Sequence, residues 1–148
     1  MEIEGPIVAG IDLTDGSEAV VRAAARQARL SGVRLYLLHV APPEPDFVAY
    51  RRDEIQRDWM AADLKNEHRR IHQFRELLEA DDLSVETLTV QGMTADKLLA
   101  EMDKLGASLL VVGTHRHGAL HGLLTGSVLF DVLRKAPCPV LVVPSPED

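Results

Sequence analysis

Apolar residues occur in short continuous runs at four places along the chain. The runs are Ile7–Ile11, Leu35–Val40 (which includes His39), Leu109–Val112 and Val140–Val143. Runs of this kind are typical of strands buried on both faces, as in a parallel sheet covered by helices. Polar and apolar positions alternate instead from Val85 to Val90, which predicts a fifth strand nearer the edge of the sheet.

Segments with helical spacing of apolar residues lie between these runs. The first predicted helix covers Ser17–Leu30, with Gly32 as its stop signal. A strongly charged segment from about 50 to 80 has apolar residues every three to four positions, which predicts an amphipathic helix exposed on one side. A third helix is predicted over Thr94–Leu105 and is also followed by glycine, and a fourth runs from about Thr125 to Lys135.

The alternation of strands and helices predicts the fold class α/β. We expect one domain over residues 1–148, built as a doubly wound, Rossmann-like, five-stranded parallel sheet with helices on both faces. Right-handed crossovers favour the strand order 3-2-1-4-5, with strand 1 at the centre. In such a sheet the ligand site lies beyond the carboxyl ends of the strands where the winding direction reverses, here between strands 1 and 4.

Composition and charge exclude several classes of protein. Acidic residues outnumber basic ones 23 to 16, giving a formal net charge of −7 that disfavours sequence-independent nucleic-acid binding. Aromatic residues make up only 4% of the chain, too few for a platform that stacks bases. The single cysteine, the lack of a signal peptide and the lack of a membrane-spanning apolar run predict a cytoplasmic protein that does not associate with a membrane.

The segment after strand 4 is rich in glycine and leads into the last predicted helix. Strand 1 ends at Asp12 and strand 4 at Gly113, so this segment begins at the reversal point. Gly126 and Ser127 open the last helix, where free N–H groups and the helix dipole favour an anion. The segment is therefore a candidate phosphate cradle, although no GxxxxGK[ST] loop is present and no GxGxxG follows strand 1.

Several segments together resemble the universal stress protein family over nearly the whole chain. They are Asp12, Leu38–Val40, Leu110–His115, Gly126–Val128 and Ala136–Val143. The resemblance implies the α/β fold described above and a homodimer. For one branch of the family it also implies an adenine nucleotide at the reversal point, bound through the motif G-x2-G-x9-G-[ST].

The resemblance also implies which residues bind the nucleotide. Asp12 and Val40 would face the ribose and adenine, and the start of the last helix would face the phosphates. The expected ligand is ATP or AMP, with Mg²⁺ if a triphosphate binds. No catalytic residue and no resident metal site are predicted. The predicted nucleotide-binding residues are Asp12, Thr14, Val40, Gly113, Thr114, His115, Arg116, Gly126, Ser127 and Val128.

Arg116 stands where the motif has its middle glycine, whereas Gly113, Gly126 and Ser127 match the other positions. If that position needs a positive φ, a residue other than glycine costs about 1 kcal/mol, which alone would not abolish binding. The arginine side chain could fill the phosphate space and exclude ATP, or it could bind a phosphate as a charged donor.

Three functions are therefore compared. The first is an adenine-nucleotide-binding regulatory protein of the stress response. The second is a dimer that binds no nucleotide and acts through protein partners, which the broken motif favours. The third is a slow ATP hydrolase, for which Asp12 is the only clear candidate residue, although the resemblance places it at the nucleoside end.

Several residues also have simpler interpretations. Asp12 could be a turn cap and nothing more, and Gly113 could be a tight-turn residue and nothing more. His39 is interpreted as a half-buried histidine whose hydrogen bonds are satisfied. Solvated or phosphate-facing side chains are favoured over a metal site for His115, His117 and His121, and Cys138 reads as a small buried hydrophobe.

The last strand is predicted to mediate dimerisation. An apolar strand at the edge of a sheet invites aggregation unless its backbone groups are covered. Pairing with the same strand of a second copy across a two-fold axis covers them. The residues of this predicted interface are Val140, Leu141, Val142 and Val143.

Overall fold

The fold is seen in a computed structural model of the 148-residue chain. The structure describes residues 2–11, 17–41, 69, 72–79, 82–91, 94–114 and 126–144. The predicted site residues Asp12, Thr14, His115 and Arg116 lie outside these ranges, as does most of the predicted second helix.

Five strands form one parallel sheet in the order β3-β2-β1-β4-β5. The predicted order is thus confirmed, with β1 at the centre and β3 and β5 at the two edges. All five residues of β1 are buried, whereas all four of β5 are only partly buried. The strands are β1 (Ile7–Ile11), β2 (Leu35–Ala41), β3 (Val85–Gln91), β4 (Leu109–Gly113) and β5 (Val140–Val143).

Helices connect the strands and cover both faces of the sheet. Helix α2, described at residues 72–79, shares one apolar cluster with α1, while α3 and α4 share the other. Side chains of β1 alternate between the clusters, with Ile7 and Ala9 in the first and Val8 in the second. The other helices are α1 (Ser17–Ser31), α3 (Thr94–Leu105) and α4 (Gly126–Lys135).

Three of the helices end in the same type of cap. Gly32 after α1 has a φ of 67° and Gly106 after α3 has a φ of 64°, so both glycines are helix stops as predicted. Asp82 takes the equivalent position after α2, with a φ of 62°. In each cap the following N–H donates to a carbonyl five residues back, at 3.1 Å after α1 and α3 and 3.4 Å after α2. This is the Schellman arrangement, and it satisfies carbonyls that the helix leaves without partners.

The segment before β1 is fastened to the turn before β4. The Ser108 hydroxyl donates to the Gly5 carbonyl at 2.6 Å, and the Ser108 N–H donates to the Pro6 carbonyl at 2.9 Å. A Cβ on Gly5 would lie 2.7 Å from the Gly106 carbonyl oxygen, so no side chain fits there. We call Gly5, Gly106 and Ser108 the clasp. Together with the three caps it organises the amino edge of the sheet, where the strands begin.

Cys138 precedes β5 on the same side of the molecule. It is partly buried and packs against the cluster shared by α3 and α4, as expected of a small hydrophobe. Burial raises the pKa of its thiol, and a hydrogen bond with the Leu110 backbone partly offsets that rise. A thiol with a raised pKa is a poor nucleophile near neutral pH. Within the described part of the chain, none of the helices is long and apolar enough to cross a membrane.

Candidate functional site

The reversal point of the sheet lies between its two central strands. β1 and β4 run parallel as neighbours, with Ile7 opposite Leu109 and Ala9 opposite Val111. The chain leaves β1 through α1 towards β2 and leaves β4 through α4 towards β5, on opposite sides. In α/β sheets a ligand-binding crevice generally lies at the carboxyl edge, where two such connections separate.

Gly113 ends β4 at this crevice, and its role there is close packing. A Cβ on Gly113 would lie 2.8 Å from Cγ2 of Val20 in α1. The positive-φ glycines among the described residues are Gly32 and Gly106, so Gly113 is not a left-handed turn residue. Close packing against Val20 is thus a reason for glycine at this position that does not depend on a turn. Its missing side chain lets the first turns of α1 lie directly over the end of β4.

Thr114 fixes the direction in which the chain leaves β4. Its backbone N–H donates to the Val143 carbonyl at 3.1 Å, which extends the pairing of β4 with β5 one residue beyond Gly113. This hydrogen bond holds Thr114 beside the last residue of β5. Thr114 is partly buried there.

The N-terminus of α4 faces the same edge. The helix begins at Gly126, ends at Lys135, and is followed after a short connection by β5, which starts at the amino edge. Its ten residues span about 15 Å, so its first turn lies towards the carboxyl edge. The N–H groups of that turn lack partners within the helix.

The charge pattern of α4 suits an anion at its N-terminus. Its first turn holds no acidic residue, whereas α1 has Glu18 and α3 has Asp96 in theirs. Those carboxylates compensate the positive ends of α1 and α3, and the sequence supplies no such group for α4. Arg134 and Lys135 in its last turn complement the opposite end of the dipole.

The end of β2 lies beside the end of β1 at the same edge. Among the described residues, His39 is the buried polar side chain, with 4% of its surface exposed. It is therefore more deeply buried than the half-buried histidine we expected. It lies opposite Ile11 on β1 and Thr89 on β3. Val40, the predicted adenine contact, follows His39 towards the carboxyl edge and pairs with Val90 on β3.

The structure therefore brings together part of the predicted site. It places the backbones of Val40, Gly113 and Thr114 at strand ends on the carboxyl edge, and Gly126, Ser127 and Val128 in the first turn of α4.

Val20 was missed by the sequence analysis. Helical periodicity shows only that Val20 faces the sheet, and no sequence pattern links it to Gly113. The described part of the chain holds no group of three or more metal-ligating side chains, and His115, His117 and His121 lie outside it.

Comparison with known proteins identifies the family. The model of the universal stress protein family matches residues 5–144. The chain belongs to the universal stress protein family. One universal stress protein, from Thermus aquaticus, is 33% identical over 136 residues, covering 87% of this chain and 93% of the relative.

Two solved structures of the family contain adenine nucleotides. The universal stress protein from Archaeoglobus fulgidus in complex with dAMP is 26% identical, with a TM-score of 0.67 over 95% of this chain and 98% of that chain. A universal stress protein in complex with cAMP is also 26% identical, with a TM-score of 0.62 over 96% of this chain and 98% of that chain. Both ligands are adenine nucleotides with a single phosphate.

Proposed function

We propose that this universal stress protein binds an adenine nucleotide at the carboxyl edge of its sheet and acts as a regulatory protein of the stress response. The main support is its likeness to the family member solved with dAMP, which matches nearly the full length of both chains. ATP and AMP are the proposed ligands, with Mg²⁺ accompanying the triphosphate.

The described residues support a division of the site into two parts. In the proposed complex the ends of β1 and β2, with Asp12 and Val40, bind the nucleoside. The first turn of α4, with Ser127 and its neighbours, binds the phosphates through backbone N–H groups. The absence of an acidic residue from that turn removes the repulsion that a phosphate would meet at α1 or α3.

Arg116 favours a second candidate function, a dimer that binds no nucleotide and acts through protein partners. It replaces the middle glycine of the motif that runs from Gly113 to Ser127. An arginine that fills the phosphate space would exclude ATP, whereas one that forks onto a phosphate would strengthen binding. The two candidates therefore predict opposite effects of removing its side chain.

Calorimetric titration with ATP and AMP distinguishes the two candidate functions. The proteins titrated are the nucleotide-free wild type, Arg116→Gly and Arg134→Ala. Arg134→Ala removes the same charge from the last turn of α4, away from the proposed site. We expect the wild type to bind, and Arg116→Gly to weaken binding and reduce its salt dependence while Arg134→Ala leaves both unchanged. No binding by the wild type together with binding by Arg116→Gly would establish the second candidate instead.

We further propose that the protein is a cytoplasmic homodimer that pairs through β5. This strand lies at the edge of the sheet with β4 on one side only, and its four apolar residues remain partly exposed. Light scattering at micromolar concentration is expected to give twice the chain mass, and Leu141→Lys to give the monomer mass. A wild-type monomer under the same conditions would contradict the proposal.

A further inference from the structure

The outer face of α1 carries an unusual concentration of positive charge. From position 22 to 34 the chain has four arginines and no acidic residue. Three of them lie on α1, and all four are exposed. Residues 17–34 hold one glutamate and so carry +3, while the whole chain carries −7, which leaves −10 on the remainder. We call the three on α1, Arg22, Arg26 and Arg29, the arginine stripe.

Helix geometry places the members of the stripe on α1 side by side. Spacings of four and three residues put Arg22, Arg26 and Arg29 on one face, over about 10 Å of helix. Ala24 and Ala28 on the opposite face are buried against the sheet. The guanidinium groups therefore project away from the body of the protein, where a partner could reach them.

The charges of Arg22 and Arg26 are only weakly compensated. Arg22 pairs with Glu18 at 2.6 Å, but their side chains are 78% and 62% exposed. Pairs with this exposure contribute little and open readily. No ion pair among the described residues includes Arg26 or Arg34. A carboxylate brought to this face would therefore meet available guanidinium donors.

An exposed leucine lies within the stripe. Leu30 is 73% exposed and follows Arg26 by one helical turn, next to Arg29. A leucine this exposed makes little contribution to the core, but it offers an apolar contact between charged groups. A matching ligand would carry carboxylates around one apolar side chain.

The total charge determines which kind of polyanion fits. A nucleic acid or an anionic membrane would extend beyond the stripe and meet the negative remainder of the protein, which opposes association. A short acidic segment can stay within the stripe. We propose that the outer face of α1 docks a short acidic segment of a partner protein, with carboxylates on the arginine stripe and an apolar residue against Leu30.

A synthetic peptide tests this proposal by fluorescence anisotropy. The probe is a labelled peptide with roughly six glutamates around one leucine, and the reference is the same peptide with lysine for glutamate. We expect the acidic peptide to bind and the lysine peptide not to bind. Raising salt from about 50 to 300 mM should weaken the binding of the acidic peptide severalfold. Arg26→Glu is expected to weaken binding about tenfold, and Leu30→Ala to weaken it by a smaller factor.

Arg22→Glu and Arg134→Glu make a matched pair. Arg134 is 72% exposed and pairs with Asp131 at 3.0 Å on α4, much as Arg22 pairs with Glu18 on α1. Only Arg22→Glu is expected to weaken binding. Equal effects of the two variants, or no peptide binding at millimolar concentration, would overturn the proposal. So would tighter binding of single-stranded DNA or of anionic vesicles than of the acidic peptide.

Discussion

The glycines that end α1 and α3 and the glycine that ends β4 are required for different physical reasons. At the amino edge, Gly32 and Gly106 have positive φ and open space around their missing side chains, because they end helices. At the carboxyl edge, Gly113 has ordinary backbone geometry and no room for a side chain, because α1 crosses over it. The amino edge thus holds the fold together, while the carboxyl edge brings two helices towards the proposed site. Substitutions should therefore separate stability from nucleotide binding.

Gly5→Ala should produce the greatest loss of stability. Its Cβ would lie 2.7 Å from the Gly106 carbonyl oxygen, a backbone atom that cannot rotate away, so the clasp must open. We expect the free energy of unfolding to fall by about 3 kcal/mol, measured by urea denaturation. The affinity of the folded protein for ATP or AMP should not change. A parallel loss of affinity would show that the two edges are coupled.

Gly113→Ala should lower both stability and nucleotide affinity. Its Cβ would lie 2.8 Å from the Val20 side chain, which is stiff at χ1 in a helix, so α1 must shift at the proposed site. We expect a loss of about 1–2 kcal/mol in unfolding free energy.

The double variant Gly113→Ala with Val20→Ala provides the control. It removes the clash, so it should be less destabilised than the sum of the two single variants. Additive effects in urea denaturation would contradict the packing role that we give to Gly113.

Substitutions at the three Schellman caps should change the stability of the protein in opposite directions. Gly32→Ala and Gly106→Ala should each cost about 1 kcal/mol, because the left-handed conformation is strained for alanine although its side chain has space. Asp82→Gly should stabilise by a few tenths of a kcal/mol or more, because it relieves the same strain after α2. Thermal unfolding measures all three. A destabilising Asp82→Gly would show that the aspartate side chain contributes more than its backbone strain costs.

Cys138 should have the smallest effect, and only at high pH. Burial raises the pKa of its thiol in the folded state, so above about pH 8.5 the unfolded chain loses this proton first. Its contribution to stability therefore falls as pH rises through the unfolded thiol pKa, and levels off above the folded one. The stability of the wild type minus that of Cys138→Ala should decline over this range. A flat difference would contradict the burial effect.

Local signals in the sequence predicted the strands and the ends of α1, α3 and α4, and the strand order followed from the handedness of the connections. Continuous apolar runs identified four of the strands and alternation identified β3, while glycines at positions 32 and 106 marked the ends of α1 and α3. Asp82 was not foreseen as a cap residue, because aspartate more often begins helices or turns than ends them.

The site was less predictable because it depends on distant contacts. The reversal point followed from the strand order, but the contact of Gly113 with Val20 joins β4 to α1, and no local pattern encodes it. His39 is buried on a strand that pairs on both sides, opposite Ile11 and Thr89, and no local pattern encodes that pairing.

Nucleotide binding at the carboxyl edge can be tested most directly on freshly purified protein. Denaturation followed by mass spectrometry of the released small molecules, with an ATP titration of the emptied protein alongside, measures it without any mutation. We predict near-stoichiometric ATP or AMP and saturable rebinding. No released nucleotide and no titration heat up to millimolar ATP would contradict the proposed function.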